Sequence, residues 1–148
     1  MKRSDAMPRN GSLAMIGIDT NVIVRLIVND DERQAQAAED FIRKHASSEN
    51  RCYVSSIVLV ETVWVLETAY GFRRAQLADA MALVLEVEQF QFDSPTDVAA
   101  ALEQFRQGPV EFADCLLART NIASGCDHTV TFDRKAAKVA GFKLLSGG

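Results

Sequence analysis

The stretch Ile16-Gly17-Ile18-Asp19-Thr20-Asn21, followed at once by Val22-Ile23-Val24, decides how the chain is read. A short apolar run closing on an acid and two small polar residues reads as a buried parallel strand. Such a strand delivers a carboxylate to the C-terminal edge of a sheet, where open α/β folds place their sites. Asp19 is thus the first candidate for chemistry. Glu61, Asp114 and Asp133 each sit in an otherwise apolar or element-ending setting, and a fold that brought the four together would create a strongly anionic pocket. Unpaired buried carboxylates are too costly to leave bare. The pocket therefore implies a divalent hard cation, and all-oxygen ligation favours magnesium or manganese.

Composition sets the outer bounds. The 148 residues, 48% hydrophobic and 24% charged, are enough for one compact domain with a real core. The most apolar stretch, residues 57–66, is short and interrupted by Glu61, so no membrane span is expected. Residues 1–14 read as a polar, basic leader outside the fold, the domain occupies residues 15–148, and Met15 would serve as a start. The leader lacks the apolar core of a secretory signal, which places the protein in the cytoplasm. Cys52, Cys115 and Cys126 form no C-x-x-C pair and, as an odd set, no disulfide framework; they read as small buried hydrophobes. A net charge of −4 argues against nucleic acid at first sight. Four acids gathered at one site account for that deficit, however, and a bound cation would reverse the local sign.

In order, the chain alternates strand-like and helix-like segments. Val22, Ile23, Leu26 and Ile27 repeat at helical spacing, Asn29-Asp30-Asp31 punctuates, and a second helix runs from about 32 to 45. Cys52-Tyr53-Val54 is a short strand. Ser55 or Ser56 caps a helix ending near Gly71 that is hydrophobic on most sides and so is expected to be buried. Residues 74–88 form a helix, Phe90-Gln91-Phe92 a strand, and Ser94-Pro95-Thr96-Asp97 opens a helix to about Gln107. After Gly108-Pro109, a helix over 111–124 is closed by Gly125. Residues 129–132 form a strand ending at Asp133, a short helix fills 134–140, and 142–145 is the last strand. Five strands interleaved with helices imply an α/β fold: a five-stranded parallel sheet with helices on both faces.

Each acid also has an ordinary structural reading. Asp19 and Asp133 both stand where a carboxylate caps the following helix. Asp114 lies in a first helical turn, where the dipole would keep it ionised. Glu61 lies mid-helix between Val60 and Thr62-Val63-Trp64, where a glutamate without a partner is disfavoured; it serves either a site or a buried ion pair.

Taken together, Ile18-Asp19-Thr20-Asn21, the Glu61 that follows Ser55 in Ser-x5-Glu, Phe112-Ala113-Asp114-Cys115-Leu116-Leu117-Ala118 and Thr131-Phe132-Asp133-Arg134-Lys135 resemble the PIN domain. Within it, the resemblance is specifically to the VapC toxins of bacterial toxin–antitoxin pairs. The resemblance spans residues 15–145 and rests on the order of several motifs. It implies a three-layer α/β/α fold and an RNA-cutting hydrolase. It also implies that Asp19, Glu61, Asp114 and Asp133 hold magnesium or manganese, with Asn21 and Thr131 as polar neighbours that position substrate. An antitoxin partner follows from the same likeness, with a segment lying across the acidic pocket and an arginine answering its carboxylates. Phosphodiester cleavage needs an activated water and stabilised phosphate charge, both of which divalent ions on carboxylates supply.

Other residues are weaker candidates. His45 and His128 are far apart and poorly placed for histidine-based ribonuclease chemistry. Arg25, Arg119, Arg134 and Lys135 are expected at the solvated surface, with phosphate contact as the alternative. Glu111 shares the helical face of Asp114 and is an outer acid or a helix-start charge. A receiver domain would want paired acids after the first strand, and a haloacid-dehalogenase-type phosphatase would want Asp at position 21, which is Asn. A catalytically inactive binding module on the same fold stays open. The 77–87 helix, with Tyr70 and Phe72, offers apolar surface for a homodimer.

Overall fold

The computed structural model describes residues 14–147, so the expected leader lies outside the described residues but for Ala14. Strand β1 (Ile16–Gly17) leads through Asp19 into helix α1 (Thr20–Ile27). Helix α2 (Glu32–His45) and strand β2 (Cys52–Val54) follow, then α3 (Ser56–Thr68), α4 (Arg74–Leu85) and strand β3 (Phe90–Phe92). Helices α5 (Pro95–Gln107) and α6 (Phe112–Ala123) precede strands β4 (Thr129–Thr131) and β5 (Phe142–Leu144), which are joined through a 3-10 turn at Ala136–Lys138. Most boundaries follow local chemistry. Asp19, Asp31 and Ser55 accept backbone N–H bonds at the starts of α1, α2 and α3. Pro95 occupies the first turn of α5, and Gly125, at φ +101°, turns the chain after α6. Helix α4 stops three residues before the expected end, and the 134–140 helix is reduced to the 3-10 turn.

All pairings are parallel, but the five strands do not form one sheet. β2 is central, with Ile16 opposite Cys52 on one side and Cys52 opposite Phe90 on the other. β4 and β5 make a separate two-stranded sheet, with Thr129 opposite Phe142 and Thr131 opposite Leu144. The reason is the shortness of the strands. β1 has two residues, and its ladder, extended by the Ile18 N–H to Tyr53 C=O bond of 2.9 Å, is directed to β2. β4 is engaged by β5 through Thr129 N–H to Gly141 C=O and Leu145 N–H to Thr131 C=O, each 2.7 Å. The expected buried first strand is correspondingly exposed at Ile16 and Gly17 and buried only at Ile18.

The core lies among the helices and the three-stranded sheet, with Ile23, Val54, Leu59, Leu66, Met81 and Phe112 among its fully enclosed side chains. α1 packs on α2 and α3, and α5 packs on α4 and α6. Helix α3 departs from the expectation of burial on most sides. Leu59, Thr62, Val63 and Leu66 face inward, whereas Ile57 and Trp64 are 72% and 65% exposed. Apolar residues all round the helix had looked like burial, but only one stripe of it meets the core. The face expected on the 77–87 helix is mostly internal instead: Leu77, Ala78, Met81 and Val84 are buried, and Leu83 is the large exposed residue. Cys52 and Cys115 are buried as expected; Cys126 is exposed.

The two faces of α3 should separate in unfolding experiments. Leu59→Ala or Leu66→Ala is expected to cost about 2–5 kcal/mol, and Ile57→Ala or Trp64→Ala about 0.5 kcal/mol or less, measured by urea denaturation. Equal losses on both faces would contradict the burial pattern.

Candidate active site

The site begins where β1 ends. Asp19 caps α1, accepting the Thr20 N–H at 2.7 Å on Oδ1. With one oxygen held in this way, its other oxygen is open to the exterior. The Thr20 hydroxyl donates to Glu61 Oε1 at 3.1 Å, tying the start of α1 to the middle of α3. Asp19, Thr20, Asn21, Arg25, Glu61 and Tyr70 share one cleft of about 310 Å³. Glu61 is solvent-facing and not in an ion pair, so the buried-pair reading is not what the fold contains among its described residues.

A second acidic group forms where α6 starts. Arg74 fixes the approach: its guanidinium donates to the Phe105 and Val110 carbonyls at 2.9 and 2.6 Å and lies 4.3 Å from the Phe105 ring centroid. The next residue, Glu111, stands at the N-cap position of α6 without a side-chain capping bond, and Asp114 lies in the first turn. The Asp114 carboxyl is pushed above the usual carboxylate range, first by burial and then by the negative charges of Asp133 and Glu111. These three effects outweigh the helix dipole, which was expected to keep it readily ionised. The thiol of the neighbouring Cys115 rises to about 11, by burial first and the Asp114 charge second, so it is no nucleophile. Asp133 does not cap a helix, since the expected one is only the 3-10 turn at Ala136–Lys138 with Lys135 at its cap; its Oδ1 instead accepts the Lys135 N–H at 2.8 Å in a local turn. Its own N–H donates to the Thr131 hydroxyl at 3.0 Å. Lys135 reaches Glu111 at 3.9 Å.

The fold thus brings Asp19 and Glu61 together, with Asn21, and gathers Asp114, Asp133 and Glu111, with Thr131. Glu61 and Glu111 line a cleft between α3 and α6 that separates the two groups. The donors are all hard oxygens, and the mutual repulsion at Asp114 is what a cation would relieve, so the chemistry fits a divalent ion. The convergence does not: among the described residues no three His, Cys, Asp or Glu side chains stand close enough together to enclose one.

Of the remaining candidates, His45 ends α2 against the Phe41 ring and His128 is bonded to Asp127. Arg119 faces Asp97 at 3.8 Å, and Arg134 is exposed with no ion pair among the described residues. Arg25 is the exception to the surface expectation. It is partly enclosed and bonded to Gln34, Asp30 and Tyr70. The acids after α1 were the available sequence signal for it. Tyr70, 45 residues away, carried none and was read only as apolar surface.

Asp114 gives a pH-dependent stability in metal-free protein. Its pKa is raised on folding, so its contribution is fully present below the ordinary carboxylate pKa of about 4 and is lost as pH rises through the folded value. Asp114→Asn should therefore melt at or above the wild-type temperature at pH 7, and that advantage should vanish below pH of about 4. A destabilised variant at pH 7 would show that Asp114 is held by favourable contacts instead.

The match of the PIN domain family covers residues 16–142, from β1 to the first residue of β5. A VapC ribonuclease of Aquifex aeolicus (strain VF5) is 23% identical over 129 residues, which is 87% of this chain and 94% of that protein. The matched span contains both acidic groups and the cleft between them, and on that footing the chain belongs to the PIN domain family.

Proposed function

We propose that the protein is a metal-dependent endoribonuclease, the toxin of a toxin–antitoxin pair acting in the cytoplasm. Asp19, Glu61, Asp114 and Asp133 would hold magnesium or manganese and carry the reaction. The observation that carries this reading is that the acids stand in two groups, Asp19 with Glu61 in one cleft and Asp114 within reach of the charges of Asp133 and Glu111, inside a family match that spans both. When bound, a divalent ion supplies the positive charge that a phosphate and its attacking water require. The chain's own residues do the rest. The Thr20 N–H fixes the direction of Asp19 and its hydroxyl fixes Glu61. Asn21, on the cleft wall beside Asp19, orients the phosphate. Thr131 holds the backbone of Asp133 in place. No helix among the described residues is long and apolar enough to cross a membrane.

One observation favours a second reading, an inactive PIN-fold binding module: the acids stand as two groups rather than one enclosed site. RNA cleavage decides between them. The wild type is expected to cut single-stranded RNA with magnesium or manganese and to lose activity in chelator, with zinc a poor substitute. Asp19→Asn, Glu61→Gln, Asp114→Asn and Asp133→Asn should each lose at least about 100-fold in rate while staying folded. Folded wild type that leaves RNA whole with manganese is the binding module; activity that persists in chelator contradicts the metal.

For partners, the reading takes a cognate antitoxin whose arginine answers the carboxylates, and a homodimer. The exposed Ile57 and Trp64 on α3, the latter beside Glu61 on the cleft between α3 and α6, are the better self-docking face, since the 77–87 helix is largely internal. Light scattering at micromolar concentration should give twice 16.3 kDa, and Trp64→Lys should return the monomer mass. A monomer at every concentration rejects the dimer, and a Trp64→Lys dimer rejects this face.

A further inference from the structure

Arg25 is the basic side chain that lines the cleft holding Asp19 and Glu61. It also lines a neighbouring cleft of about 480 Å³ on the far side of Asp19, with Asn21, Gln34 and Phe41. Lys135 and Arg119, by comparison, stand against Glu111 and Asp97 on other elements. The guanidinium of Arg25 is set in place from three directions. Nε donates to Gln34 Oε1 at 2.6 Å, and Nη1 donates to Asp30 Oδ1 at 2.8 Å and to the Tyr70 hydroxyl at 3.0 Å. The Tyr70 hydroxyl in turn donates to Asp30 Oδ2 at 2.9 Å, closing a ring of partners drawn from α1, the turn before α2, α2 itself and the turn after α3. Its side chain is only 25% exposed.

Three of the five N–H groups of a guanidinium are used in this way. The two on Nη2 have no hydrogen-bond partner among the described residues. A guanidinium held rigid through Nε and Nη1, with the N–H groups of Nη2 left over, still offers a fixed positive charge and a donor to a phosphate oxygen. Asp30, 45% exposed, neutralises the cation only in part because solvent screens the pair. The placement also answers an electrostatic need. A polyanion entering beside Asp19 and Glu61 meets two carboxylates, and a fixed cation at their border lowers that barrier.

We propose that Arg25 is a phosphate-binding residue, gripping the RNA backbone at the border of the cleft that holds Asp19 and Glu61, and that Asp30, Gln34 and Tyr70 position its guanidinium for that contact. This rests on the nuclease reading for the identity of the strand. The strand would run from the Glu61 cleft, past Asp19, into the cleft bordered by Gln34 and Phe41.

The test is binding of a fluorescent single-stranded RNA oligonucleotide to the full chain. It is done without divalent ions so that the strand stays intact, and anisotropy is read at several salt concentrations. Arg25→Gln should weaken binding about tenfold and reduce the slope of log affinity against log salt by about 0.7, one phosphate contact. Arg25→Lys should keep the slope and lose part of the affinity, because charge survives and the placement by Gln34, Asp30 and Tyr70 does not. Tyr70→Phe should keep the slope. A purely structural Arg25 would lower the melting temperature and leave the slope alone. The proposal is overturned if Arg25→Gln binds with wild-type affinity and slope, or if the wild type binds no RNA. Failure of the nuclease reading looks different: the wild type binds with an Arg25-dependent slope but leaves RNA whole when manganese is added.

Discussion

The bond from the Thr20 hydroxyl to Glu61 is the contact on which the arrangement of the site depends. It joins the first turn of one helix to the middle of another, across 41 residues of sequence. Asp19 is fixed by the same residue through its backbone N–H, so a single threonine orients two carboxylates. Thr20 is itself 8% exposed, among the few buried polar residues, and is supported beneath by the fully enclosed Ile23. Burial of α1 therefore determines where the two acids stand, and the chemistry of the cleft follows from the packing of the core.

The acids also carry a cost. At the start of α6, burial together with the charges of Asp133 and Glu111 raises the pKa of Asp114 and so weakens its preference for the charged form. A fold that selected only for stability would place a neutral or basic group here. Lys135 approaches Glu111 at 3.9 Å, but both side chains are largely exposed, so its relief of the cluster is small. An anionic group held together by well-packed neighbours, and answered among the described residues by an exposed Lys135 at 3.9 Å from Glu111, is what a site built to receive a cation or a cationic side chain would look like.

Much of this was legible in the sequence because it rested on local signals. Asp19, Asp31, Pro95 and Gly125 mark helix ends through capping and φ preferences that act within a few residues. The α/β alternation was carried by the same local periodicity. What could not be read was set at long range. Whether β4 lies against β1 depends on pairing between strands of two and three residues, too short for a pattern to specify. Helix α3 reads as apolar on nearly every side, and only the placement of its neighbours leaves Ile57 and Trp64 outside. Arg25 looked like any surface arginine until Tyr70 was brought to it from 45 residues away. For the candidate site, the sequence named the four acids as candidates, and that Asp19 shares a cleft with Glu61 while Asp114 feels the charge of Asp133 came from the tertiary structure.

The central claim is that the two acidic groups serve one cation site. Diffraction from crystals grown with manganese, using its anomalous signal to locate the ion, addresses this directly. The account predicts manganese between the groups, contacted by Asp19 and by Asp114 or Asp133, with the cleft between α3 and α6 narrowed around it. Manganese bound away from these residues, or no bound manganese at millimolar concentration, would contradict it.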